Sequence, residues 1–148
     1  MSVHEKQAAV LLVEDDPGHA LLIEKNLRRA GLAPPIVVLD NGRKAADYLL
    51  KQGDYAPSGH LSPPFVLLDL DLPVLSGLQV LKLMKSDERT KRIPVIVLTS
   101  TDNPREIAQC YELGCNLYVT KPVEYDRFSD AIQRLGTFLS IVKTPEKE

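Results

Sequence analysis

AAVLLVEDDP, Ala8 to Pro17, packs an apolar run, three acids and a proline into ten residues. The run is of strand length and is followed at once by helix-opening signals. Asp16 stands at an N-cap position, and Pro17 stands at the first helical position, where a missing N–H costs nothing. A strand therefore hands directly to a helix, leaving Glu14, Asp15 and Asp16 at the junction. Ala20, Ile23, Leu27 and Ala30 then recur three or four apart, and Gly31 stops the helix.

Outward from this stretch the same order repeats. Further apolar runs are PIVVL (Pro35 to Leu39), FVLLDL (Phe65 to Leu70), PVIVL (Pro94 to Leu98) and NLYVT (Asn116 to Thr120). Most are apolar throughout, which predicts a parallel sheet covered on both faces. Amphipathic stretches lie between them. Ala45, Ala46, Leu49 and Leu50 mark the second helix; Ser76 and Gly77 open the third, with Val80, Leu81 and Met84 as its stripe. Asn103, Pro104 and Glu106 open the fourth, with Glu106 expected to reach back in a capping box. Phe128, Ala131, Ile132, Leu135, Phe138, Leu139 and Val142 mark a long fifth. Strict alternation predicts an α/β fold: a three-layer, doubly wound (βα)5 sandwich with a five-stranded parallel sheet and right-handed crossovers. Gly53 to Pro64 is long for a connection, and Pro57, Gly59, Pro63 and Pro64 forbid helix through most of it.

Composition excludes several classes. The chain has 148 residues, 44% apolar and 26% charged, with 18 Lys+Arg against 20 Asp+Glu and a net charge of −2. A chain this long buries roughly 70% of its unfolded surface and needs no structural metal. Cys110 and Cys115 form no disulfide framework, and His4, His19 and His60 are isolated, so no zinc site is expected. A reduced, cytoplasmic setting is the expectation. Near-neutral charge argues against a nucleic-acid partner. No apolar run approaches the ~20 residues that span a bilayer, and MSVHEKQ is not a signal peptide, so no membrane is implied. One domain over residues 1–148, with a core of about 8–142 and no output domain, is expected.

In open parallel sheets functional groups gather at the strands' carboxyl ends. Those ends carry Glu14, Asp15 and Asp16, then Asp69 and Asp71, then Thr99 and Ser100, then Lys121. Singly, each has a dull reading as a cap or a solvated loop residue. Jointly, acids from the first and third strands would converge, and carboxylates 4 Å apart repel by ~4 kcal/mol at an effective dielectric of 20. A hard divalent cation removes that repulsion, and Mg²⁺ fits best. An aspartate ending a buried strand, here Asp69, can accept a phosphoryl group, with Lys121 and a hydroxyl neutralising its oxygens.

These residues resemble the receiver domain of two-component response regulators, a flavodoxin-like fold. VEDD supplies Glu14 and Asp15 as the acidic pair, and VLLDLDLPVLSG supplies Asp69 as phosphoacceptor with Pro73 and Gly77 behind it. VLTS supplies Thr99 as the phosphate-sensing hydroxyl, YVTKP supplies Lys121 as the ion-pairing lysine, and Tyr118 matches the aromatic switch position. The resemblance covers about residues 8–140 in the family's order. It implies Mg²⁺ held by Asp15, Asp69 and the backbone carbonyl of Asp71, with Glu14 acting mainly through water. It also implies a histidine kinase as donor, a downstream protein partner, and a signalling phosphoacceptor in place of a turnover enzyme. The long loop, the LLDLDLP run, KRIPVIVLT (Lys91 to Thr99) and the long last helix are similar to single-domain regulators partnered with cyanobacterial phytochromes.

Two rivals stand beside this reading. DLDLP at Asp69 to Pro73 also suits haloacid-dehalogenase-like phosphatases, although Pro73 replaces their Thr or Val and the acidic pair lies before the nucleophile. The other rival is a receiver-like adaptor that works without phosphorylation, against which the full set Asp15, Asp69, Thr99 and Lys121 argues. A dinucleotide site is weaker again, since no Gly-rich turn follows the first strand. Phe128, Leu135, Phe138 and Val142 either extend an apolar stripe past the sheet, for a homodimer through the face of the fourth helix, fifth strand and fifth helix, or are all core, as helix stripes usually are. Asp71 puts a fixed charge two residues past Asp69, where hydrolytic water would approach.

Overall fold

The alternation of buried runs and capped amphipathic stretches becomes five strands and five helices in the computed structural model, which describes residues 8–141. In chain order they are β1 (Val10–Val13), α1 (Pro17–Arg29), β2 (Ile36–Leu39), α2 (Gly42–Leu50), β3 (Val66–Leu68), α3 (Gly77–Ser86), β4 (Val95–Thr99), α4 (Pro104–Leu113), β5 (Leu117–Thr120) and α5 (Tyr125–Ile141). The strands pair in parallel in the order β2-β1-β3-β4-β5, so β1 and β3 lie side by side. The order reverses at that pair, which is where such sheets form their ligand crevice.

Successive strand residues point to opposite faces and feed two cores. Val10, Leu12, Leu67, Ile96 and Leu98 pack with Ile23 and Leu27 of α1 and with Phe128, Ile132 and Leu135 of α5. Leu11, Val13, Val66, Leu68, Val95 and Val97 pack with Ala45 and Leu49 of α2, Val80, Leu81 and Met84 of α3, and Cys110 of α4. Coverage on both sides holds for β1, β3 and β4, which are buried throughout. The edge strands differ: Val38 of β2 is exposed, and β5 is half-buried over Leu117 to Val119.

Helix starts follow their signals, with one correction. Asp16 accepts from the N–H groups of Gly18 and His19 at 2.8 and 3.1 Å, and Asn41 and Ser76 cap α2 and α3 in the same way. Ser76 forms a full capping box with Gln79. At α4, Asn103 caps Arg105, but Glu106 does not reach back; it accepts instead from the Thr101 hydroxyl at 3.1 Å. The Asn103 N–H donates instead to the Thr101 hydroxyl oxygen at 3.4 Å, so the threonine hydroxyl stands between the cap and Glu106.

On α5 the core alternative holds for two residues of the stripe. Phe128 and Leu135 are core residues, about 5–6% exposed, because the helix lies on α1 and turns that stripe inward. Phe138 is the exposed member, and Val142 lies outside the described residues. The long α2–β3 connection is ordered by an aromatic cluster. His60 stacks on Tyr48 at 3.9 Å, Tyr55 meets Tyr48 edge-on, and His60 Nε2 donates to the Tyr48 carbonyl at 2.9 Å. Its one helical piece is a short 3-10 turn over Gly53–Tyr55.

Candidate functional site

Three acids converge at the carboxyl ends of β1 and β3. Glu14, Asp15 and Asp69 each offer a carboxylate oxygen, all within 4.8 Å of one another; Glu14 and Asp69 are buried and Asp15 is exposed. The convergence follows from the ladder: Asp69 N–H donates to the Val13 carbonyl at 3.1 Å, placing Asp69 beside the residue before Glu14. The backbone behind Asp69 is closed by Gly77. A Cβ there would sit 2.2 Å from the Asp69 carbonyl oxygen, so only glycine lets α3 begin against this turn. Val74, in the same loop, holds φ 71°, a left-handed conformation that costs a β-branched residue on the order of 1–2 kcal/mol.

Lys121, which follows β5, crosses to these acids. Its ammonium pairs with Glu14 and with Asp69 Oδ2, the latter at 3.0 Å, and is itself only 6% exposed. Burial pushes the Glu14 carboxyl up to about 7, against the opposing pull of Lys121. Burial would lower the pKa of Lys121, but its hydrogen bond to Glu14 and the charges of Asp69 and Glu14 outweigh it and hold the ammonium above the ordinary lysine value.

The remaining predicted residues fall around this cluster with different fates. Thr99 ends β4 fully buried, and its Oγ1 has no hydrogen-bond partner among the described residues. An orphaned buried hydroxyl costs roughly 1–3 kcal/mol, so this one is conspicuous. Asp71 is exposed, and its N–H donates to Asp69 Oδ1 at 3.2 Å, which holds the Asp71 backbone against the acid cluster. Asp16 faces away as the α1 cap, its carboxyl held below the ordinary range by the N–H of His19 foremost. Of the five acids at this end, then, three converge. Tyr118 is half-buried, and its hydroxyl donates to the Thr101 carbonyl at 2.7 Å, just past β4. Burial pushes its phenol up to about 12. His19 is isolated in the sequence, yet its Nδ1 lies 3.4 Å from the Lys121 ammonium. The available signal was its place on the first turn of α1, three residues after the cap.

All-oxygen donors on three acids suit a hard cation that keeps part of its water shell. A buried carboxylate, an ammonium and a hydroxyl without a partner among the described residues suit an anion with several oxygens. Such a combination at the switch point of a doubly wound sheet defines a phosphoryl-accepting receiver. The chain belongs to the response regulator receiver domain family, whose pattern it matches over residues 10–133.

Particular relatives sharpen the placement. The response regulator Rcp1 of Synechocystis is 34% identical over 129 residues, covering 87% of this chain and 86% of Rcp1. Its Mn²⁺-bound crystal structure superposes with a TM-score of 0.88 at 32% identity, over 94% of this chain and 99% of that one. The phosphorylated cyanobacterial phytochrome response regulator RcpA gives 0.86 at 33% identity, over 96% and 100%. A response regulator receiver domain from Rhodospirillum rubrum gives 0.85 at 46% identity, over 95% and 99%. This protein is accordingly a response regulator receiver related to the phytochrome response regulators, and the phosphatase and adaptor readings are not favoured. No helix among the described residues is long and apolar enough to cross a membrane.

Proposed function

We propose that Asp69 is the phosphoacceptor of a histidine-to-aspartate relay. The observation that carries this reading is the meeting of Glu14, Asp15 and Asp69 oxygens within 4.8 Å beside a buried ammonium. An Asp69 carboxylate oxygen attacks phosphorus as the P–N bond of a phosphohistidine breaks. The electron pair stays on the imidazole nitrogen, which takes up a proton. Lys121 and Thr99 donate to the phosphoryl oxygens as charge develops there. Asp15, Asp69 and the Asp71 carbonyl, with Glu14 behind them, would hold Mg²⁺, which when bound would offset the charge of the acids and the phosphoryl group together.

Phosphorylation then biases a two-state face. Thr99 gains an acceptor, and Tyr118, tethered to Thr101 two residues on, reports that movement to α4, β5 and α5. The domain assists its own phosphorylation and hydrolysis without turning over an external substrate. The likeness to RcpA supports a phytochrome-type histidine kinase as donor, in the cytoplasm, with a protein as the downstream target. A homodimer through the α4-β5-α5 face would use Phe138, the exposed residue of the α5 stripe. Sedimentation with and without beryllofluoride, an acyl-phosphate mimic, tests that face; a monomer at high concentration in both conditions contradicts it.

The direct test of the reading is stoichiometry. With acetyl phosphate and Mg²⁺, intact-mass measurement should show one phosphoryl group per chain, none without Mg²⁺ and none in Asp69→Asn. Sustained release of inorganic phosphate at many turnovers without labelled protein would contradict it.

A further inference from the structure

An ammonium has three protons to donate, and that of Lys121 has three acceptors. Glu14 Oε1 and Asp69 Oδ2 take two, and His19 Nδ1 takes the third at 3.4 Å. Because an ammonium can only donate, Nδ1 is the acceptor in this contact, and the ring proton sits on Nε2. The ring is steadied by an edge contact to Phe128, with centroids 5.4 Å apart. Its backbone N–H is fixed by the Asp16 cap at 3.1 Å. Asp16 Oδ2 lies 3.8 Å from the same Nδ1, beyond hydrogen-bond reach.

The three contacts are unequal. Two are to carboxylates whose side chains are 2% and 7% exposed. The third is to a neutral ring nitrogen, at the far end of hydrogen-bond range, on a side chain that is 46% exposed. A phosphoryl oxygen arriving on Asp69 needs a proton from Lys121, and none is free. Withdrawing one from a buried carboxylate leaves a charge unpaired, which is the costly exchange. Withdrawing one from His19 sacrifices a weak bond that water replaces.

We propose that His19 is a positioning residue that occupies the third proton of Lys121 in the unphosphorylated protein and yields it to the incoming phosphoryl oxygen. This rests on Asp69 being the phosphoacceptor. His19 thereby sets how readily the ammonium is captured. A variant that keeps the ring volume but has no acceptor leaves one N–H of the ammonium unpaired, ready for the phosphoryl group. His19→Phe does this while excluding water, whereas His19→Asn keeps an acceptor near the Nδ1 position.

The test is binding of beryllofluoride to the full chain at saturating Mg²⁺, by calorimetry, together with nitrogen-15 spectra of the His19 ring. Loss of a competing bond at the weak end of the hydrogen-bond range gives about twofold tighter binding in His19→Phe. His19→Asn should match the wild type, and the wild-type Nδ1 resonance should shift on saturation as it loses its donor. Equal or weaker binding in His19→Phe, or an Nδ1 resonance that does not respond to saturation, overturns the inference while leaving Asp69 as acceptor. Failure of the wild type itself to bind, with Asp69→Asn no different, overturns the phosphoacceptor reading and this inference with it.

Discussion

Thr99 and Lys121 leave adjacent strands at the same end of the sheet, and the Lys121 N–H donates to the Thr99 carbonyl at 2.7 Å. Both side chains are buried. The Lys121 ammonium has three partners, while the Thr99 hydroxyl has none among the described residues. The difference separates two jobs. An unpaired buried charge costs far more than an unpaired hydroxyl, so the free protein satisfies the charge and tolerates the orphan. Lys121 neutralises the acids before any ligand arrives. On the proposed reading, Thr99 is a donor held in reserve for an acceptor brought in from outside.

Each of the two side chains can be removed by a single substitution. The largest expected effect is from Lys121→Met, which strands Glu14 and Asp69 without a counter-charge and costs roughly 3 kcal/mol of stability. Urea unfolding should show this loss, and Mg²⁺ should recover part of it by taking over the neutralisation. A variant as stable as the wild type without Mg²⁺ would mean that Lys121 is not the neutralising group. Thr99→Val should go the other way. Removing an orphaned hydroxyl at nearly constant volume leaves the free protein as stable as before or stabilises it by about 1 kcal/mol. A clear loss in the same unfolding assay would reveal a partner for Oγ1 and dissolve the contrast.

Asp71→Asn tests a group between the two. The Asp71 side chain is exposed at the mouth while its N–H is tied to Asp69. Neutralising it should alter the decay of the phosphorylated form several-fold, followed by intact mass over time; equal decay would remove Asp71 from the hydrolytic path. The smallest effect concerns a buried group with no part in the site. Burial pushes the Cys110 thiol up to about 11, so it stays protonated up to that pH in the folded protein. Iodoacetamide at pH 8 should label it far more slowly in the folded protein than in urea. Rapid labelling in the folded protein would mean that the core under β4 and β5 opens readily.

Much of this was legible beforehand, for identifiable reasons. Strand-length apolar runs and side-chain caps are local signals, and Asp16, Ser76 and Gly31 marked their boundaries because the physics there involves only near neighbours. The convergence of Glu14, Asp15 and Asp69 followed from topology, since a doubly wound sheet places β1 beside β3. What escaped depended on side-chain choices among several near partners. Glu106 prefers the Thr101 hydroxyl to its own cap. Phe128 and Leu135 turn inward because α5 lies on α1, a packing that the stripe's period alone does not specify. His19 belongs to Lys121, more than a hundred residues away in the chain, and no spacing within α1 announces that contact. The aromatic cluster of Tyr48, Tyr55 and His60 is equally non-local, and it orders a loop whose prolines announced only the absence of helix.

The reserve role of Thr99 is tested most directly by measuring beryllofluoride affinity at saturating Mg²⁺ in the wild type and in Thr99→Val. One site per chain is expected in both, with binding in Thr99→Val weaker by about tenfold, one buried charge-assisted hydrogen bond, in a protein no less stable than the wild type. Equal affinity in the two proteins would contradict it, because the hydroxyl would then have no acceptor to wait for.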